Sequence, residues 1–383
     1  MAKLLIVATG GAGGDLPPLV AAALALRERG NETVFAADIA VLRMLHPLGI
    51  EVDLLPGELD LGPRMASVVQ KAMQETGGDL GLAGPLLQRG MTVWAHDVAL
   101  PIGELIERHR PSAIVTSLFG VETVDAACPP CPWAVINSTF YVGPRLQRPI
   151  EQDFGPRAIP LIQRYIELLE APNLVLHATD KLFDYGFQGL PARHHYVGPL
   201  GIWEPPSDPP AYLREPGDPW VLVSISTQRQ DDLPLAEHAL AALADQPVRV
   251  LLTVGAEHSP AELADHPANT HVEATVSHAA VLKNGAVLIS HAGHGSVMKA
   301  LWYGRPMVLI PWGRDQPGVA ARAAALGVAE VVPRGEAGAQ RIGLALDRVR
   351  HDNEMARRAA GHAARLQLTD PPALAASLLE SMG

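Results

Sequence analysis

The chain has 383 residues, of which 48% are hydrophobic, and a formal net charge of −11 at neutral pH. That length and composition suit two globular domains with ordinary cores, and an acidic balance without any basic run excludes nonspecific nucleic-acid binding. No segment approaches the roughly 20 apolar residues of a membrane span, and Leu4 to Ala8 is too short for a signal-peptide core, so cytoplasmic residence is expected.

Lys3 to Thr9 has the pattern of a short buried strand, Gly10-Gly-Ala-Gly-Gly14 makes a turn, and a helix is predicted from about Pro17 to Gly30. Asp15 lies in that turn, where a carboxylate either caps the helix or faces a ligand. Strand and helix patterns recur at Thr33–Leu48, Ala113–Ala127 and Leu174–Thr179. Between them, Pro56 to Trp94 is rich in Gly, Leu and Met with weak periodicity. Its Met65, Met73, Leu82, Leu86 and Met91 suit a pocket wall as well as a core, and Arg145 to Arg164 says little. Cys128-Pro-Pro-Cys131 lacks the flanks of a thioredoxin-like motif and reads as two small thiols beside a turn. From Gly198 to Pro219 the chain is too proline-rich for a strand or helix and suits a semi-rigid linker. The chain is therefore expected to divide into a domain of residues 1–200, a linker of 201–218, a second domain of 219–365 and a terminal segment of 366–383.

The second domain carries the most informative stretch. Ala286 to Ser290 is an apolar run that stops at His291-Ala-Gly-His-Gly-Ser296, and a helical pattern follows to Tyr303, with Gly304 as its stop. Met307 to Ile310 repeats the arrangement, with Asp315 and Gln316 in its turn, Pro317 at the first helical positions and Gly327 as the stop before Val328 to Val332. Two consecutive units of this kind put both turns at the carboxyl end of a parallel sheet, where open α/β sheets bind ligands. The first turn favours an anion. Gly293 and Gly295 carry no side chains to block it, Ser296 offers a hydroxyl, and the free N–H groups of a helix start carry partial positive charge. His291 adds a donor for a diphosphate, and Asp315 and Gln316 supply an acceptor and an amide suited to sugar hydroxyls.

His291-Ala-Gly-His-Gly-Ser296, Ala300-Leu301, Gly304-Arg-Pro306, Pro311 and Asp315-Gln316 together resemble the nucleotide-sugar signature of the GT-B glycosyltransferases of family 1, especially bacterial enzymes that decorate natural products. The resemblance covers nearly the whole chain. It implies an α/β fold of two doubly wound Rossmann-like domains facing each other across a cleft, with the terminal helix, about Pro372 to Ser381, crossing back onto the first domain. Val221 to Thr227 resembles the first strand and phosphate-facing loop of the family's second domain, with Ser226 where glycine is common, so Thr227 is implied at the diphosphate. Val272 to Leu282 resembles the nucleobase loop, with Val276 and His278 at the matching positions but without the usual Trp and Gln. Asp15-Leu-Pro-Pro18 resembles the element whose polar residue is the general base. Most relatives carry His there, so no His–Asp dyad is expected, and Ser117 stands near the place of the dyad's carboxylate.

The resemblance implies a single displacement with inversion. Asp15 takes the acceptor's proton, while His291 with Gly293, Gly295 and Ser296 stabilises the departing nucleoside diphosphate. The implied partners are a UDP- or dTDP-sugar donor and a hydrophobic small-molecule acceptor; no cofactor is expected because the nucleotide sugar is a substrate. An ordinary aspartate, with a pKa of about 3.9, is a weak base for an alcohol, so an acidified acceptor or a raised Asp15 pKa would help. No Asp-x-Asp occurs, and His194, His195, His291 and His294 lack accompanying ligands, so no metal is expected. A homodimer is left open. Three other readings compete. A nicotinamide oxidoreductase fails on its fingerprint, whose third glycine falls on Leu16. An epimerase of GT-B fold would need acid and base groups around the sugar, and a noncatalytic sugar-nucleotide binder would not need Asp15.

Overall fold

The computed structural model describes residues 1–9, 13–76, 80–227, 230–255 and 258–382, so residues 10–12 of the predicted glycine turn lie outside the described residues. Two parallel sheets organise the chain. The first contains β1 (Lys3–Ala8), β2 (Glu32–Ala37), β3 (Glu51–Leu54), β4 (Ala113–Ser117), β5 (Trp133–Asn137), β6 (Leu174–His177) and β7 (His194–Tyr196), in the order β3-β2-β1-β4-β5-β6-β7. The second contains β8 (Trp220–Ser224), β9 (Arg249–Thr253), β10 (Thr270–Glu273), β11 (Val287–Ser290), β12 (Met307–Leu309) and β13 (Ala329–Val331), in the order β10-β9-β8-β11-β12-β13.

Each sheet winds outward in both directions from its first strand. This produces a switch point between β1 and β4 and another between β8 and β11, the positions where doubly wound sheets open a ligand crevice beyond the strand ends. The central strands are apolar on both faces and buried throughout, as β4 and β8 illustrate, because helices cover both sides of a parallel sheet.

One region departs from its sequence pattern. The weakly periodic stretch after Pro56 forms two helices, Leu61–Glu75 and Leu80–His109, and the second runs through Pro85 and Pro101. An interior proline costs a helix about 3 kcal/mol; here Trp94, Val98 and Ile102 on the same helix are buried in the core, and that packing offsets the cost. Of the pocket candidates, Leu86 and Met91 are partly buried, with Met91 against the core, and the side chains of Met65, Met73 and Leu82 lie outside the described residues.

Between β7 and β8 the chain makes only short turns, Leu200–Ile202 and Ala211–Arg214. The last helix, Pro371–Glu380, packs on the first, Leu16–Glu28. Ala375, Ala376 and Leu379 enter the apolar layer under the first sheet, and Glu380 accepts hydrogen bonds from Arg29 at 3.0 and 2.7 Å and from Asn31 at 2.6 Å.

The two sheets are joined by a buried cation. Arg322, on the helix Gln316–Ala325 of the second sheet, is 1% exposed. Its guanidinium donates to Asp184 at 2.7 Å and Asp153 at 3.0 Å, both from the first sheet's half, and lies 3.6 Å over the Phe140 ring. Gly318 on the same helix is closely covered: a Cβ there would come within 2.6 Å of Phe140 and 2.9 Å of Asp153. Arg365 adds a two-pronged pair with Asp180, at 2.9 and 2.6 Å.

Replacing Arg322 with Met keeps the bulk and removes the charge, leaving two carboxylates buried without their shared cation. Breaking such a pair costs about 3–5 kcal/mol, so urea unfolding should show a loss of that size. Arg29→Met, at an exposed and solvent-screened pair, should leave the unfolding midpoint close to the parent's. Equal small losses in both variants would contradict the clamp.

Candidate active site

Asp15 follows β1 at the first switch point and stands at the start of the helix Leu16–Glu28, but its side chain does not cap that helix. It turns instead toward β5, where the Ser138 hydroxyl donates a hydrogen bond to Asp15 Oδ1. Asp15 Oδ2 is buried and has no hydrogen-bond partner among the described residues. Burial raises the Asp15 pKa from 3.8 to about 6, against the opposing pull of the Ser138 and Ser117 hydroxyls and with a further push from the charge of Asp315. Ser117 ends β4 beside it and is fully buried.

Asp315 comes from the other sheet, in the turn after β12. Its Oδ2 accepts a 2.6 Å hydrogen bond from Thr139, the residue next to Ser138. Burial raises its pKa as well, opposed by the Thr139 bond and by the charges of Arg314 and Arg322. Two adjacent hydroxyls on one loop thus hold two carboxylates from opposite sheets.

The turn after β11 lies under the same cleft. His291 Nδ1 is 3.2 Å from the Ser224 carbonyl oxygen, which places the proton on Nδ1 and leaves a bare lone pair on Nε2 of the neutral ring. Burial lowers its pKa, while the Ser224 carbonyl and the charge of Asp232 oppose and Arg314 adds to the lowering. Gly293 is needed here because a Cβ would sit 2.5 Å from His291 Nε2. Gly295 lies against the inter-sheet segment, with the Gly201 carbonyl oxygen 3.9 Å from its Cβ position. Both precede or begin the helix His294–Trp302, together with half-buried Ser296, so free N–H groups open toward the cleft. Ala292 at φ 70° and Arg314 at φ 57° hold left-handed backbone in the two turns, strain of the kind that collects at functional sites.

Several candidates are engaged with the protein itself. Gln316 is buried; its Oε1 accepts from the N–H groups of Trp312 and Gly313 at 2.8 and 2.9 Å, and its amide donates to Gln230 at 2.9 Å. Gln230 in turn bonds Asp232, which also receives the Ser226 N–H at 2.8 Å. Gln316 therefore stitches its own turn to the loop after β8, where Thr227 is exposed. His294 points across to the first sheet, 3.1 Å from Thr179 Oγ1. His278 starts the helix His278–Lys283 with Nε2 3.0 Å from Thr253 Oγ1, and Val276 packs against the core beside it. Among the described residues, the one cluster with metal-ligand character is Glu51 and Asp53 on the edge strand β3 with His109 at the end of the helix Leu80–His109, and there Arg108 already pairs with Asp53 at 3.1 Å.

Residues 225–370 match the family model "Glycosyltransferase family 28 C-terminal domain". The chain is 31% identical over 169 residues to a 4'-demethylrebeccamycin synthase of Lentzea aerocolonigenes, covering 43% of this chain and 39% of that protein. It is 27% identical over 209 residues to a demethyllactenocin mycarosyltransferase of Streptomyces fradiae, covering 53% of this chain and 44% of the other. The chain thus spans less than half the length of these two curated relatives. In fold it is similar to spinosyn rhamnosyltransferase SpnG complexed with thymidine diphosphate, with a TM-score of 0.71 at 20% identity over 98% of this chain and 99% of that one. The chain has the GT-B fold, and its second half carries a glycosyltransferase family 28 C-terminal domain.

Asp15, Ser117, His291 and Asp315 stand at strand ends around one cleft. Ser138 and Thr139 were not singled out, and their only signal was position: they follow an apolar strand, β5, at the same sheet edge as Asp15 and Ser117. An open groove of about 540 Å³ runs between residues 143–151 and the helix Ile159–Leu168, in the stretch about which the sequence said little.

The Asp15 shift has a testable sign. Its carboxyl titrates at about 6 in the fold and near 3.8 outside it, so the protonated form favours folding; the contribution is full below about pH 4 and is lost as pH rises through 6. Asp15→Asn should therefore match the parent below pH 4 and exceed it above pH 6, by up to about 3 kcal/mol. Denaturant midpoints across pH 4–8 measure this, and a pH-independent difference would contradict it.

Proposed function

We propose that this GT-B protein is an inverting glycosyltransferase that moves a hexose or deoxyhexose from a UDP- or dTDP-sugar to a hydroxyl of a hydrophobic small molecule. The observation that carries the reading is the meeting of Asp15 and Asp315 across the cleft, above the helix start that holds His291 and Gly293. A sugar between the two carboxylates has a proton acceptor on one side and an anion-binding turn on the other. The thymidine diphosphate bound in the SpnG relative and the mycarosyl transfer named for the Streptomyces fradiae relative support the donor class.

In this reading the acceptor O–H gives its proton to Asp15 as its oxygen attacks the anomeric carbon. The bond from that carbon to the diphosphate oxygen breaks on the opposite face, and the electron pair leaves with the diphosphate. A carboxylate with a pKa of about 6 is a stronger base than an ordinary aspartate and is still mostly ionised at pH 7. The backbone N–H groups of the Gly293–Ser296 turn, with Thr227, receive the leaving charge. Asp315 orients the sugar hydroxyls, with Gln316 shaping that turn from behind. Val276 and His278 border the base.

His291 has to gain a proton to donate to the diphosphate, because its Nδ1 proton is committed to Ser224. Calorimetry of dTDP-glucose and UDP-glucose in buffers of different ionisation enthalpy should show uptake of about one proton per donor bound near pH 7, a diester donor having no group of its own that titrates there. His291→Ala should lose that uptake and weaken binding on the order of 10- to 100-fold. Asp15→Asn should bind donor normally and transfer nothing in an acceptor screen. Absence of nucleotide-sugar binding, or full activity of Asp15→Asn, would overturn the reading.

A further inference from the structure

The loop after β5 offers something that the strand-end turns do not. Ser138 and Thr139 leave β5 at Asn137, and Asn137 fixes the loop's path: its amide donates to the Phe140 carbonyl at 2.7 Å, and its Oδ1 accepts from the Thr139 N–H at 3.3 Å. Phe140 is held in turn under Arg322 at 3.6 Å. The loop is therefore braced on both sides of the Ser-Thr pair, at its root by a buried Asn and at its exit by the inter-sheet clamp. The hydroxyl of Ser138 is thus mounted on a well-braced backbone.

That donor meets one oxygen of a carboxylate whose other oxygen is buried and has no hydrogen-bond partner among the described residues. We propose that Ser138 is the positioning residue for Asp15: its hydroxyl fixes Oδ1, so that Oδ2 is the oxygen presented to the acceptor's O–H. The proposal rests on the reading of Asp15 as the base. In it, the hydroxyl of Ser138 does the orienting that a second side chain does in a two-residue dyad, and it does so without adding a charge to a cleft that already holds Asp315. The groups facing Asp15 are the Ser138 and Ser117 hydroxyls and the Phe119 N–H, which favour its charged form, and Asp315, which opposes it. The phenol of Tyr165, buried and without a hydrogen-bond partner among the described residues, feels the charge of Asp15 and presents a neutral group to it. Removing Ser138 takes away one stabiliser of the carboxylate, so the Asp15 titration must move to higher pH.

The test uses the full-length protein carrying [γ-13C]aspartate, with the Asp15 resonance assigned by its absence in Asp15→Asn. In Ser138→Ala the Asp15 titration midpoint should rise by about one pH unit. The slow hydrolysis of dTDP-glucose, with water standing in for the acceptor, should fall roughly tenfold at pH 6, and its acidic limb should shift by the same amount. Affinity for dTDP should not change, and Ser138→Thr should restore both midpoint and rate. Ser138→Cys keeps the size with a weaker donor and should move the midpoint in the same direction by less, which keeps the test valid if the Ala variant does not fold. An unmoved midpoint in a folded Ala or Cys variant overturns the proposal. So does a rate loss in which dTDP binding falls in proportion. If Asp15→Asn hydrolyses dTDP-glucose at the parental rate, the base assignment fails, and that failure is separate from the NMR midpoint, which reports the Ser138–Asp15 contact alone.

Discussion

Everything in the cleft depends on Arg322. A guanidinium removed from water is costly unless each face and edge is occupied, and this one has a carboxylate on either side and an aromatic ring beneath. Asp184 is itself shared, receiving the Tyr141 N–H at 2.9 Å and the Tyr196 hydroxyl at 2.6 Å, so the clamp is anchored in the backbone and side chains of the first sheet. The consequence is positional. Arg322 lies on the helix that begins just after Asp315, and Phe140 follows Thr139 directly. Fixing Arg322 over Phe140 therefore fixes Asp315 against Thr139, and with it the distance across the cleft. An exposed ion pair would not set geometry in this way, because solvent screening leaves it worth little.

The same packing sets the electrostatics. Burial penalises both charges, so Asp15 and Asp315 both have raised pKa values, and the charge of Asp315 adds a smaller push to Asp15. The sheets hold them there through hydroxyls, which stabilise a carboxylate without neutralising it. Across the cleft the imbalance reverses: His291, His278 and His294 are all pushed toward their neutral forms by burial. The cleft thus sets two reluctant anions opposite three histidines that resist protonation. An anionic ligand on the His291 side relieves the second condition, which is why ligand charge and proton uptake are linked in this account.

Much of this was legible in the sequence where a feature is local. A strand, a glycine turn and a helix start occupy about ten consecutive residues, so His291 to Ser296 and Asp315 to Pro317 announced themselves, and the parallel sheets followed from repeating that pattern. Arg322 was not legible. In Val319-Ala-Ala-Arg-Ala it looks like the charged residue of a solvent-facing helix, and only packing against residues some 140 positions earlier makes it a core residue. Ser138 and Thr139 were hidden for the same reason, since their partners are 123 and 176 positions away. The helix Leu80–His109 was obscured by the weak periodicity of its first half and holds two interior prolines, and tertiary burial carries the helix through them. Gln316 illustrates the opposite case: its place in the motif was plain, but its engagement with Gln230 and the turn N–H groups depends on how two loops meet.

The most direct test is a crystal structure of the protein with a dTDP-2-deoxy-2-fluoro sugar, a donor that binds and reacts slowly. The account predicts the diphosphate on the N–H groups of the Gly293–Ser296 turn with His291 Nε2 donating to it, the sugar hydroxyls on Asp315, and the anomeric carbon open toward Asp15 Oδ2 on the face opposite the diphosphate. A diphosphate bound elsewhere, or an anomeric carbon whose open face points away from Asp15, would contradict it.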